Sequence, residues 1–342
     1  MKNLETSYMG ISLGSPVILG ACELSSELDT LKKAEQEGAS AVVYKTIFEE
    51  QIQIENLQHD ELVTEYDDIH AEMTSLHPTI ERSEAEYYMV KLRKAKENLS
   101  VPVIASLNAV NESSWFRYAK LIEETGVNGI ELNLYQTPTR FDLDAAAIEK
   151  RQINIVSEIK RQLSIPVSVK LSSSYTNLLH FVHGIDNVGV DGMVLFNAFF
   201  QPDIDIETEK HRRAFNLSRK GDYKESLRYA GMLFGRVKAD ICSSRGVFNS
   251  DDVIKLILSG SSCVQVVSAV YKHGTAIISE INQGISDWMS RKGYDSIEQF
   301  KGKLSDSVLN KNDNLLIYKR AQYIDLILNS DTIFGDKKHL GF

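Results

Sequence analysis

The sequence predicts a (β/α)8 barrel. Three observations lead there. Short apolar, β-branched runs recur from end to end, amphipathic stretches lie between them, and a polar or basic residue closes most of the runs. The runs occupy residues 17–20, 41–45, 103–107, 129–134, 167–170, 192–196, 239–243 and 263–266. They are continuous rather than alternating, the pattern of strands buried on both faces in a parallel sheet. Pro102 and Pro166 stand at strand entries, where a missing N–H costs least. Between the runs, residues 111–124 carry Trp115, Tyr118, Leu121 and Ile122 at helical spacing, with Ser113 near the expected cap. Residues 250–258 start with Asp251 and Asp252, favourable at a helix N-terminus, and exit at Gly260. Eight strand–helix units favour a closed barrel over the rival, a doubly wound open sheet.

Two connections are too long for plain barrel loops. One follows Lys45 and runs to about Glu84; the other follows Asn197 and runs to about Lys224. Both leave the C-terminal ends of strands 2 and 6, the face where barrel active sites lie. The tail after about Asn282 reads as helical and polar. The expected organisation is one barrel over residues 1–304 and a helical extension over 305–342.

The chain has 342 residues, 43% hydrophobic and 25% charged, which excludes a disordered or fibrous protein. A net charge of −9 argues against nucleic acid or an anionic membrane as partner. No apolar run approaches the roughly 20 residues of a membrane span, and no signal peptide opens the chain. Cys22, Cys242 and Cys263 are widely spaced and outline neither a disulfide framework nor a metal site. A cytoplasmic protein without bound metal is the expectation.

The strand ends carry the chemistry. Lys45 and Thr46 close the second strand, Asn108 the third, Asn133 the fourth, Lys170 the fifth and Asn197 the sixth. Ser244, Arg245 and Gly246 follow the seventh; Val267 and Ser268 follow the eighth. Two lysines and several amides around one mouth suit a ligand with carbonyls, ring nitrogens and a phosphate. The seventh and eighth loops are a frequent phosphate site in barrels. Flavin mononucleotide (FMN) fits that layout, with a lysine stabilising negative charge on the reduced ring. Neither G-x-G-x-x-G nor a P-loop occurs.

At these residues the chain resembles the dihydroorotate dehydrogenase family, from about Ser7 to about Leu304. Residues 10–21 resemble the family's small N-terminal hairpin and first strand, whose end, here Gly20 and Ala21, approaches the flavin. Tyr44-Lys45-Thr46 resembles the segment whose Lys lies near flavin and substrate, and Glu131-Leu132-Asn133-Leu134 the segment whose Asn faces both. Val169-Lys170-Leu171 is similar to the segment whose Lys meets the flavin ring. Asn197 matches the substrate-side Asn. Arg245-Gly246-Val247 and Val267-Ser268-Ala269 match the two phosphate loops, and residues 292–304 the C-terminal segment of class 1 members. Together these readings assign substrate binding to Lys45, Asn133 and Asn197. They assign cofactor binding to Gly20, Ala21, Lys45, Thr46, Asn108, Asn133, Lys170, Asn197, Ser244, Arg245, Gly246, Val267 and Ser268. Lys45 is also the expected catalytic residue. The resemblance implies oxidation of dihydroorotate to orotate in pyrimidine synthesis, a soluble electron acceptor of undefined identity, and a homodimer.

The departures are specific. Where family members place the Cys or Ser base, this chain has Gln136, an amide with no accessible pKa for proton abstraction. Pro138 replaces a family Asn, Arg245 replaces a Gly, and Val267 replaces another. The closest resemblance is to a dihydroorotate dehydrogenase-like subgroup that keeps the flavin site and lacks part of the catalytic set. Other candidate bases are Tyr135, His70, His77 and Glu23, with solvated residues as the plainer reading. Cys22 and the aromatic run Phe196, Phe199 and Phe200 read first as packing. Two alternatives stay open: a flavin-binding protein without dehydrogenase activity, and a phosphate-binding barrel in which Lys45 or Lys170 forms a Schiff base.

Overall fold

The computed structural model describes residues 2–49, 84–135, 141–198, 201–212 and 217–309. The chain opens with a hairpin, β1 (Thr6–Tyr8) and β2 (Ile11–Leu13), whose two-residue turn is Met9-Gly10. Both turn residues have positive φ, 57° and 72°, the combination a tight antiparallel hairpin requires. The barrel strands follow as β3 (Val17–Leu19), β4 (Val42–Val43) with its continuation β5 (Ile47–Phe48), β6 (Val103–Asn108), β7 (Gly129–Asn133), β8 (Val167–Leu171) and β9 (Gly192–Leu195). A second hairpin, β10 (Asp203–Asp205) and β11 (Lys210–Arg212), precedes the last two barrel strands, β12 (Asp240–Ser243) and β13 (Cys263–Val266). All barrel pairings are parallel. β13 pairs β3, β3 pairs β4, and β4 and β5 both pair β6, so the sheet closes. The eight-stranded barrel expected from the sequence is therefore present.

Period-two alternation along these short strands sorts their side chains. Outward residues such as Val103, Leu132 and Val169 join the main core against the surrounding helices. Inward residues form two layers. The lower one, Ile18, Val43, Ile104, Val194, Cys242 and Cys263, packs against Tyr8, Met9 and Leu13 of the hairpin, which plugs this end. Gly192 is required here, because a Cβ would lie 2.8 Å from the Tyr8 ring. The upper layer is polar and buried, and includes Ser106, Asn108, Glu131, Asn133, Lys170 and Gln265. Barrel interiors are usually filled by branched apolar residues, so this layer marks the functional end.

Three expectations about elements change. The helix expected at 111–124 spans Glu112–Glu123, and Ser113 plays no capping part. Its start is held instead by Glu49, which accepts from the Val110 and Asn111 amides (2.6 and 2.9 Å), the Asn111 side chain (2.6 Å) and Ser114 Oγ (2.8 Å). A carboxylate from another segment thus fixes the backbone that leads into the helix and the cap residue itself. The insertion after strand 2 begins later than Lys45, because Ile47 and Phe48 still pair with β6. The tail is not polar throughout. Beyond Asn282 the chain buries Ile285 and Met289 of the Ile277–Lys292 helix, and then Ile297 and Phe300. Residues 50–83, with His70 and His77, and most of the C-terminal extension lie outside the described residues.

Candidate functional site

The β-strand C-terminal ends bring the polar layer to a cavity of about 130 Å³. Its lining includes Ala21, Lys170, Asn197, Ser244, Arg245, Gly246, Val267 and Ser268 from the residues named by sequence, together with Phe196, Leu217, Ser218 and Gln265. Gly20, Lys45, Thr46, Asn108 and Asn133 are not part of this lining. Gln136 lies outside the described residues.

Two of the second group, Asn133 and Gly20, touch the first, and the other three stand in the wall around them. Asn197 Nδ2 donates to Asn133 Oδ1 at 2.8 Å. Asn108 Nδ2 donates to the carbonyls of Asn133 (2.7 Å) and Tyr135 (3.1 Å), which fixes the end of β7. Gly20 packs so closely that a Cβ would meet Val267 Cγ2 at 2.8 Å and Gln265 Cβ at 3.1 Å. Thr46 Oγ1 shares a 2.8 Å hydrogen bond with Ser106 Oγ inside the wall. Lys45 Nζ reaches Glu23 Oε2 at 2.7 Å, in a pair that is open to solvent on the Glu23 side. Tyr88 Oη donates to the Lys45 carbonyl at 2.7 Å and so anchors that strand end. Burial pushes the Tyr88 phenol well above its ordinary range, which keeps it a donor.

Lys170 is almost fully buried. It is 7% exposed, and its ammonium donates to Gln265 Oε1 at 2.8 Å and contacts Glu131 Oε1 at 3.4 Å. Gln265 Nε2 in turn donates to Glu131 Oε2 at 2.5 Å. This three-residue cluster was only half visible in the sequence. Lys170 stood at a strand end, but Glu131 and Gln265 looked like isolated polar residues in apolar runs. The usable signal was alternation: Glu131 shares a strand face with Asn133, and Gln265 with Val267.

The other wall of the cavity is built by two loops. Arg245, after β12, has φ of +73°, a conformation that costs a residue with a Cβ about 1–2 kcal/mol. Its Nε is buried with no partner among the described residues, while its Nη1 stands 3.5 Å from Glu225. Gly246 follows with φ of +64°, and a Cβ there would meet the Tyr223 amide nitrogen at 2.6 Å. The second loop presents Ser268, whose Oγ accepts from the Ser218 amide at 2.9 Å. A buried guanidinium nitrogen without a protein acceptor is satisfied by a water or by an anion. Cys22 borders this region, and burial raises its thiol pKa, which removes it as a ready nucleophile. Phe196 is fully buried and meets Tyr229 edge-to-face while it also lines the cavity; Phe199 and Phe200 lie outside the described residues.

Among the described residues no group of three His, Cys, Asp or Glu side chains could hold a metal ion, and no helix is long and apolar enough to cross a membrane. Comparison with known proteins adds the family. The family model described as dihydroorotate dehydrogenase matches residues 80–289. A dihydroorotate dehydrogenase B (NAD(+)) catalytic subunit from Thermoplasma volcanium is 28% identical over 88% of this chain and 98% of its own length. Its counterpart from Pyrococcus abyssi is 25% identical over 87% of this chain and 98% of its own length. The NAD-dependent dihydropyrimidine dehydrogenase subunit PreA of Escherichia coli is 22% identical over 93% and 82%.

Proposed function

Because the chain belongs to the dihydroorotate dehydrogenase family, we propose that it is an FMN-dependent oxidoreductase acting on a CH–CH bond of a small cyclic substrate. The observation that carries this reading is the shared cavity. It puts one buried lysine, Lys170, and two loops with an unsatisfied guanidinium around the same space. Bound there, FMN would supply the two-electron acceptor. Ser244, Arg245, Gly246, Val267 and Ser268 would hold its phosphate, with Gly246 allowing close backbone approach. Lys170 would place positive charge near the ring, and Gly20, Ala21, Thr46 and Asn108 would shape the rest of the cofactor wall.

The amide pair orients substrate. Asn133 Oδ1 is occupied by Asn197 Nδ2, so the pair offers Asn133 Nδ2 as donor and Asn197 Oδ1 as acceptor. That combination matches the N–H and C=O edge of a cyclic amide or imide. Lys45 brings a cation to the mouth, suited to a substrate carboxylate, and Glu23 is its counter-ion until one arrives. Dihydroorotate has both features. Pyrimidine synthesis, a soluble acceptor, a cytoplasmic location and a homodimer extend the proposal along the family. Several relatives are named as catalytic subunits, which fits a chain that hands its electrons to a separate protein.

A second reading rests on Gln136. An amide at the base position can hydrogen-bond a substrate but cannot take its proton. On that reading the chain binds FMN and serves a regulatory or partner role. Anaerobic addition of dihydroorotate to the FMN-loaded protein separates the two. Rapid bleaching of the flavin bands supports the dehydrogenase. A spectrum that stays unchanged with dihydroorotate while dithionite still bleaches it contradicts dihydroorotate as substrate and favours the second reading.

A further inference from the structure

The buried cluster of Lys170, Gln265 and Glu131 joins strands that are far apart in sequence. Glu131 comes from β7, Lys170 from β8 and Gln265 from β13, which lies elsewhere in the ring. Gln265 bridges the other two with both ends of its amide. Its oxygen accepts from the Lys170 ammonium at 2.8 Å, and its NH2 donates to the Glu131 carboxylate at 2.5 Å. Only one orientation of that amide satisfies both neighbours, so the bridge is directional. Glu131 and Gln265 are 1% and 2% exposed. Neither charge of the cluster is needed to fill a barrel, because buried ion pairs are commonly replaceable by apolar residues without loss of stability. Lys170 and Gln265 both line the cavity, whereas Glu131 stands behind them. A carboxylate placed behind a cation fixes how much positive charge the cation projects forward.

We infer that Glu131 and Gln265 are positioning residues that aim Lys170 at the cavity and cancel part of its charge, and so set the reduction potential of the flavin bound there. This rests on the flavin reading above. Lys170 favours the state with more negative charge on the ring, and Glu131 opposes it. Gln265 couples the two by holding the ammonium within 3.4 Å of the carboxylate. Removing either charge therefore shifts the potential, in opposite directions.

The test is a spectroelectrochemical titration of the full-length protein loaded with FMN. Glu131→Gln keeps the shape of the side chain and removes its charge. Its expected effect is a positive shift corresponding to about tenfold preference for the reduced cofactor, about 30 mV for a two-electron couple. Lys170→Met is expected to move the potential negative by a similar amount. A Glu131→Gln/Lys170→Met double variant leaves no unpaired buried charge, and checks that the two opposite shifts cancel. Its potential is expected close to that of the parent protein. A potential that does not move in Glu131→Gln or in Lys170→Met, or that moves negative in Glu131→Gln, overturns the inference while leaving the cofactor in place. A parent protein that binds no FMN overturns the flavin reading itself, and the inference with it.

Discussion

Replacing Arg245 by glycine should make the empty protein more stable and the loaded protein worse at holding its cofactor. The two effects come from different atoms of one residue. The backbone sits at φ +73°, which costs a residue with a Cβ about 1–2 kcal/mol and costs glycine almost nothing. Glycine returns about 0.5–1 kcal/mol of that through its greater freedom in the unfolded chain. The contact to Glu225 is long, at 3.5 Å, and its loss is worth about 0–0.5 kcal/mol. Removing the unpartnered Nε from a buried position regains roughly 1 kcal/mol. The net expectation is a gain of about 1 kcal/mol, which for a chain of this size raises Tm by only about 1 °C. A charge-assisted hydrogen bond to phosphate is worth about 1.5–3 kcal/mol, so FMN affinity should fall roughly 10- to 100-fold. Riboflavin, which has no phosphate, should bind both proteins equally. Thermal melts without ligand, together with fluorescence titrations of FMN and riboflavin, read both effects. A lower Tm for the empty variant would refute the strain argument. Equal losses for FMN and riboflavin, or no loss for FMN, would refute the assignment of Arg245 to the phosphate.

Gly246→Ala should behave in the opposite way to Arg245→Gly. Its Cβ would lie 2.6 Å from the Tyr223 nitrogen and 2.8 Å from that of Asp222, at a φ of +64°. A loss of at least about 2 kcal/mol is expected, seen as a lower urea midpoint in the cofactor-free protein. Glu123 makes stability depend on acid. Burial raises its pKa, but hydrogen bonds from Lys120 Nζ (2.6 Å) and from the amide and hydroxyl of Ser164 (2.7 Å each) outweigh that and bring it from 4.5 to about 2. The folded-state pKa is the lower one, so the contribution is present above about pH 4.5 and is lost as pH falls toward 2. With the Lys120 end half-exposed, Glu123→Gln should cost about 1 kcal/mol at pH 7 and flatten the denaturation midpoint across that acid window. A variant that keeps the parent's slope there would show that Glu123 is not the titrating group.

The barrel was legible because its strands are unbroken β-branched runs, and because the residues that end them are polar. The interruptions were harder. Ile47 and Phe48 belong to the second strand, but the polar pair Lys45-Thr46 reads as its end. Glu49 opens an acidic stretch. Four hydrogen bonds reach it from residues 61 to 65 positions further along, which no local pattern announces. Lys170, Asn133 and Asn197 could be named from strand ends alone. Their partners could not, because Glu131 and Gln265 are 134 residues apart and meet only when the sheet closes into a ring. Arg245 was visible as a departure from a glycine position, but its positive φ and buried nitrogen are properties of the folded loop.

The measurement that tests the central claim most directly is a visible-absorption titration of the purified, cofactor-stripped protein with FMN. Saturation at one FMN per chain, with shifted flavin bands that Lys170→Met weakens or alters, is the result expected of a cavity built around that cofactor. A protein that stays colourless after excess FMN, and that is trapped by borohydride on Lys45 or Lys170 in the presence of a carbonyl compound, would contradict the account and make the barrel a Schiff-base enzyme instead.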